Sequence, residues 1–243
     1  MSYAPGGAGN PADVLTIISN LFFLFPAIQA WMGQVWVLVM LYVLIIVNSS
    51  MYHACNSFAS LCVFPSLTHR MMDFFFAQLI IPATAFTLIL MPKALRGLQT
   101  MTFIAIAFVI FVIQIAVGES IYIQMGIALG SLAAIVLYWI IYATKAAATE
   151  GAFAFPPYDW GHLLMGICMT ATACSLYASE MQYHLLYWAV HSCWHAIAAY
   201  GQVFILMCRP MDVTQEYAVL NAPTASRLVA SRVRHSTPKS RVQ

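Results

Sequence analysis

The chain has 243 residues, of which 62% are hydrophobic and only 7% charged, with a mean hydropathy of +0.82. A soluble domain is about one-quarter charged, and this much apolar surface cannot be hidden inside one globule. A water-soluble fold, a disordered chain and a nucleic-acid binder are excluded, which leaves an all-α, polytopic membrane protein.

Residues 1–12 are polar and contain no basic group ahead of the first apolar run, so the first span is expected to act as an uncleaved insertion signal. Hydropathy then predicts seven spans, at 13–32, 35–57, 71–91, 99–117, 120–143, 161–179 and 183–208. The breaks carry turn or charge signals: Gly33-Gln34, Pro65 to Arg70, Pro92-Lys93 to Arg96, Gly118-Glu119, Pro156-Pro157 with Asp159, and Glu180. The shortest of them, after spans one and four, leave room only for tight hairpins. Residues 209–243 form a polar, basic tail expected to be disordered in the cytosol.

Direction follows from the basic residues near the span ends. With the N-terminus outside, the inner side holds Lys93, Arg96, Lys145, Arg209, Arg227, Arg232, Arg234, Lys239 and Arg241, and the outer side holds only Arg70. Nine against one places the N-terminus outside and the C-terminus in the cytosol. The tail's basic residues are also suited to touch anionic lipid of the inner leaflet.

Six cysteines occur without metal-type CxxC spacing. Cys168, Cys174 and Cys193 sit inside apolar runs and read as core residues. Cys55 and Cys62 flank one connection, and a disulfide between them requires that loop to face an oxidising compartment. Gly126 and Gly130 in span five form a small-xxx-small pattern that permits close helix approach, within the chain or in a homodimer. Trp31, Trp36 and Trp160 fall near span ends as interface anchors.

Ionisable groups inside spans are costly and mark functional sites by default. Here they concentrate in span two (Asn48, Ser49, Ser50, His53), at the start of span three (His69, Arg70, Asp73) and in span seven (His191, His195). Ser49 and His53 are four apart and share a helix face, as do His191 and His195. Two imidazoles at this spacing can grip one divalent ion. His53 as a third ligand leaves one tetrahedral position for water, the pattern of a catalytic zinc site. The topology agrees: His53 lies toward the outer end of span two and Asp73 near the outer start of span three. His191 and His195 lie roughly 10–20 Å below the outer mouth of span seven.

Plainer readings exist for each residue. A single intramembrane His is commonly a hydrogen-bonded packing residue, Asp73 can pair with Arg70, and Ser49 can bond back to its own helix. A haem held by two helices would want paired histidines on both, whereas span two offers one. His69, His184 and His235 read as interfacial or tail-borne. His162 is expected at the inner start of span six, too far away to be a ligand.

These residues resemble a family. The chain is similar to the myomaker/transmembrane protein 8 family, within the superfamily of alkaline ceramidases and adiponectin-receptor-like proteins. The likeness rests on SNLFFLFP in span one, YHAC closing span two, the Asp of MMDFF and HSCWH in span seven. It covers almost the whole membrane region. The superfamily pattern of SxxxH, an Asp on the next helix and HxxxH on the last corresponds to Ser49, His53, Asp73, His191 and His195. The resemblance implies zinc on the three histidines, Ser49 and Asp73 orienting or activating water, and hydrolysis of a lipid amide or ester. By length the chain sides with the short, fusogenic members of the family, which implies a plasma-membrane protein that remodels or fuses membranes around a structural zinc. The Golgi or endoplasmic reticulum is the alternative location. By its Ser and Asp the chain sides with the hydrolases, and it lacks a Cys-rich C-terminal end. A rhodopsin-type receptor is disfavoured by the absence of DRY and NPxxY runs.

Overall fold

The computed structural model describes residues 13–58, 61–90, 95–118, 120–180 and 187–209, and all regular structure among these is helical. The elements are α1 (Asp13–Ser19), a 3₁₀ turn (Asn20–Phe23), α2 (Leu24–Met32), α3 (Trp36–Ser57), α4 (Ser66–Leu88), α5 (Arg96–Val117), α6 (Ile121–Glu150), α7 (Trp160–Glu180) and α8 (Tyr187–Met207). Among the described residues, six segments are long and apolar enough to cross a bilayer: Val14–Met32, Trp36–Ser57, Ser66–Leu88, Gly97–Val117, Tyr122–Thr149 and Trp160–Ser179. The chain is therefore a multi-pass membrane protein. The expected seventh span, α8, is not among these six, and it carries His191, His195 and Gln202 within its apolar run.

The first expected span, 13–32, is not one regular helix. Pro26 has no N–H and its ring crowds the carbonyl of residue 22, and the chain tightens into the 3₁₀ turn just before it. Two polar side chains consolidate the break. Ser19 Oγ donates to the Thr16 carbonyl at 2.8 Å, and Asn20 Nδ2 donates to the same carbonyl at 3.1 Å.

Span three also differs from its expected start at residue 71. Pro65 precedes the first turn, and the Thr68 and His69 amides both bond its carbonyl, so Ser66 to Arg70 are already helical. His69, expected at the interface, is instead only 3% exposed, and its Nε2 accepts the Phe64 amide at 3.2 Å. Span five is longer than expected, its helix continuing through Lys145 to Glu150.

Residues 13–138 and 158–209 form one compact unit, and residues 139–157 belong to a second. Within the first, α8 is central: it packs on α7, α1, α2 and α4, while α3 packs on α4, α2 and α1. The core contains Phe23, Leu38, Tyr42, Ile45, Ile80 and Ala199. Gln202 of α8 holds three helices together, because its Oε1 accepts from Thr84 of α4 at 2.8 Å and from Tyr42 of α3 at 3.2 Å. Most of α5 lies outside this core, as expected of a helix that faces lipid. Asp159 caps α7: its Oδ1 accepts the His162 amide at 3.1 Å, and this bond, with the His162 ring beside it, holds the carboxyl below its ordinary pKa.

Several smaller expectations are settled by the packing. Cys168, Cys174 and Cys193 are exposed rather than in the core. In a bilayer an apolar run faces lipid as comfortably as it faces protein. Cys55 and Cys62 are joined as a disulfide. A Cβ on Gly126 or Gly130 would meet nothing within 4 Å, so that pair does not serve close packing among the described residues. Trp31 and Trp36 are exposed and meet edge to face. Residues 1–12 and 210–243, with Lys93, His184 and His235, lie outside the described residues.

Candidate metal centre

The histidines come from opposite ends of their helices, His53 from the C-terminal end of α3 and His191 and His195 from the N-terminal half of α8. His53 lies four residues before the end of α3 and His191 four residues after the start of α8, each about 6 Å from the helix terminus at 1.5 Å per residue. α3 and α8 both pack against α1 and α2, and that packing brings together side chains 138 residues apart. His53 Nε2 and His191 Nε2 are 3.1 Å apart. The ring of His195, one turn further along α8, has its centroid 4.5 Å from that of His191 and 5.7 Å from that of His53. One ring nitrogen from each of the three falls within 4.8 Å of the others.

The setting is dry. His53, His191 and His195 are 4%, 7% and 1% exposed. Three imidazoles gathered away from water with their nitrogens converging have few protons to share among them, whereas a cation gives every lone pair a partner. The spacing of one pair fits such an ion. Two nitrogens bound to one tetrahedral zinc at 2.0–2.1 Å lie about 3.3 Å apart, close to the His53–His191 separation. Aromatic rings wall the cluster: Tyr187 stacks on His191 at 4.9 Å, Trp194 lies 5.1 Å from His191, and Phe23 meets His195 edge-on at 5.7 Å.

Ser49 stands one turn from His53 on the same face of α3. It is 1% exposed, and its Oγ has no hydrogen-bond partner among the described residues, not even the carbonyl of its own preceding turn. A buried hydroxyl left without a bond costs about 1–3 kcal/mol, so its position beside the histidines suits a ligand or water rather than the helix. Asp73 lies two turns into α4, half-buried. α4 packs closely on α3, but Asp73 is not among the groups brought within ligand distance of one another. The three histidines thus meet as a group that could hold a metal ion, and the acid stands on the neighbouring helix.

One participant escaped the sequence reading. Ser19 of α1, 3% exposed, places its Oγ 2.7 Å from His195 Nδ1. The signal was present in SNLFFLFP, where a Ser and an Asn precede a proline in an apolar span. Nothing local to that run connects it to a histidine 176 residues later.

No curated protein matches the chain significantly. The family described as "Protein of unknown function (DUF3522)" matches residues 12–196, a stretch that takes in Ser19, Ser49, His53, Asp73, His191 and His195, and the chain belongs to that family.

Proposed function

We propose that this protein is a zinc-dependent membrane hydrolase acting on a lipid amide or ester in the outer leaflet, related to the myomaker/transmembrane protein 8 and ceramidase-like proteins that its motifs resemble. The observation that carries this reading is the buried cluster of His53, His191 and His195 with the unbonded Ser49 hydroxyl one turn away. Zinc on these nitrogens supplies Lewis acidity toward a carbonyl and makes nearby water more acidic. The chain's own residues do the rest. Ser49 Oγ donates a hydrogen bond to the water or to the developing oxyanion. The Asp73 carboxylate accepts the proton of the attacking water as general base and returns it to the leaving group. The apolar walls and the 1–7% exposure of the histidines keep bulk water out, which strengthens each of these interactions.

The same proposal includes α8 as a seventh span, the N-terminus outside and the C-terminus in the cytosol. α8 has 21 residues, about 31 Å of helix, enough for a hydrocarbon core of about 30 Å. The Cys55–Cys62 disulfide lies at the site end of α3. Disulfides persist on the oxidising side of a membrane, and the nine-to-one basic asymmetry independently puts that end outside. The plasma membrane fits both features.

A second reading, membrane remodelling or fusion with zinc as a structural link, is favoured by the way the histidines join α3 to α8 at 3.1 Å. Asp73→Asn separates the two. Asn keeps the size but not the proton acceptor, so under hydrolysis the variant should be folded, zinc-loaded and slower by about 10²–10⁴-fold on lipid amide or ester substrates. Full retention of every wild-type activity in Asp73→Asn would leave the structural reading standing alone.

A further inference from the structure

Ser19 and His195 meet deep in the protein, and their bonds leave one consistent arrangement of protons. Ser19 Oγ lies 2.8 Å from the Thr16 carbonyl oxygen and 2.7 Å from His195 Nδ1. A carbonyl can only accept, so the hydroxyl's single proton goes to Thr16. The oxygen then has only lone pairs to offer His195, so Nδ1 carries the ring proton. In a neutral imidazole one nitrogen bears hydrogen and the other is bare, which leaves Nε2 as the free ligand atom.

We propose that Ser19 is a positioning residue of the metal centre, holding His195 in the Nδ1-protonated tautomer so that its Nε2 is available as a metal ligand. This inference rests on the metal-binding reading given above.

Burial makes the arrangement binding. Thr16, Ser19 and His195 are 2%, 3% and 1% exposed, so no bulk water stands ready to replace a lost partner. The opposite arrangement gives up the Thr16 bond and puts the ring proton on Nε2, where it repels a cation. Local structure holds Ser19 in place: it is the last residue of α1, directly before the 3₁₀ turn. Asn20 bonds the Thr16 carbonyl from the next position, and Ser50 of α3 reaches the Ile17 carbonyl at 3.5 Å. Phe23, on the far side of that turn, closes against the edge of the His195 ring. Hydrogen-bonding partners of this kind typically raise metal affinity by about 10–100-fold through ligand orientation and basicity.

Thr and Val have the same shape and differ by a hydroxyl, so Ser19→Thr and Ser19→Val in the full-length protein isolate the hydrogen bond. Zinc affinity is measured in detergent by competition with a chromophoric chelator, and the visible spectrum of the cobalt(II)-loaded protein reports ligand geometry. Ser19→Thr is expected to match wild type, and Ser19→Val to bind zinc about 10–100-fold more weakly with a changed cobalt spectrum. Equal affinity and identical spectra for Thr and Val overturn the proposal. Ser19→Ala, which adds no bulk, gives the same comparison if Val does not fold. Nitrogen NMR of metal-free wild type reads the tautomer directly. A ring proton on Nε2 of His195 overturns the positioning role even if zinc binds, whereas a proton on Nδ1 in a wild type that takes up no zinc overturns the metal reading and leaves the hydrogen bond standing.

Discussion

Gly166 of α7 and Gly201 of α8 lie against each other so closely that neither helix has room for a side chain there. A Cβ on Gly166 would fall 2.5 Å from Ile205 Cγ1, 2.9 Å from the Ile205 amide nitrogen and 3.0 Å from the Gly201 carbonyl oxygen. A Cβ on Gly201 would fall 2.9 Å from Thr170 Oγ1 and 3.2 Å from the Thr170 amide nitrogen. The two helices are in backbone contact, and this contact sets where α8 lies and hence where His191 and His195 stand. Gly166→Ala meets backbone at 2.9 Å that cannot yield, so it should destabilise the protein by about 1–3 kcal/mol, more than Gly201→Ala, whose closest backbone atom is 3.2 Å away. Gly126→Ala on the open face of α6 is the control and should gain up to about 1 kcal/mol of helix propensity. Thermal unfolding in detergent ranks the three. Equal melting temperatures for Gly126→Ala and Gly166→Ala would contradict the close approach.

The turn after α2 is built around a residue that is not glycine. The Val35 amide bonds the Ala30 carbonyl at 2.8 Å and the Gln34 amide bonds the Trp31 carbonyl at 2.9 Å, a Schellman motif with Gln34 in the left-handed position at φ 55°. Gly33 sits one residue too early to take that conformation. Gln34→Gly removes the Cβ penalty, against a larger entropy loss on folding, for a net gain of up to about 1 kcal/mol. Gly33→Ala, at an ordinary negative φ, should show no such gain from turn geometry. A lower melting temperature for Gln34→Gly would argue against the motif.

Thiol counting tests the disulfide. Cys168, Cys174, Cys193 and Cys208 are free and Cys55 is bonded to Cys62. Maleimide added to denatured, unreduced protein should modify four cysteines, and six after reduction. Six without reduction would remove the disulfide, and with it the support it lends to an outer location for the end of α3.

Orientation has its own measurement. An epitope tag after Gln243 should be reached by antibody only after the plasma membrane is permeabilised, whereas a tag before residue 13 should be reached on intact cells. The reversed pattern would place the three-histidine end of the bundle in the cytosol.

Zinc content tests the centre itself. Purified wild type should hold about one equivalent per chain, and His191→Ala should lose most of it, since removing one of three ligands leaves too few to compete with chelators. Prolonged chelation should also lower the melting temperature, because an ion bound only to the folded state stabilises it. A well-folded wild type with no zinc and no response to chelator would end the metal reading.

What the sequence determined by itself is whatever short-range periodicity expresses. Runs of apolar residues long enough to cross a bilayer mark the helices, and a spacing of four puts Ser49 with His53 and His191 with His195 on shared faces. The polar exceptions stand out because lipid makes them costly, so the three histidines that converge were already conspicuous in the sequence. Tertiary structure decided which faces meet. Whether an apolar residue touches protein or lipid leaves no mark on hydropathy, so Cys168 and Cys174 read as core yet are exposed, and His69 read as interfacial yet is buried. The same limit explains why GIALG drew attention while the contact of Gly166 with Gly201, separated by 35 residues, did not. Ser19 is the clearest case. Its partner lies on a helix at the other end of the chain, and only the packing of α1 on α8, with the break before Pro26, brings hydroxyl and imidazole within bonding distance.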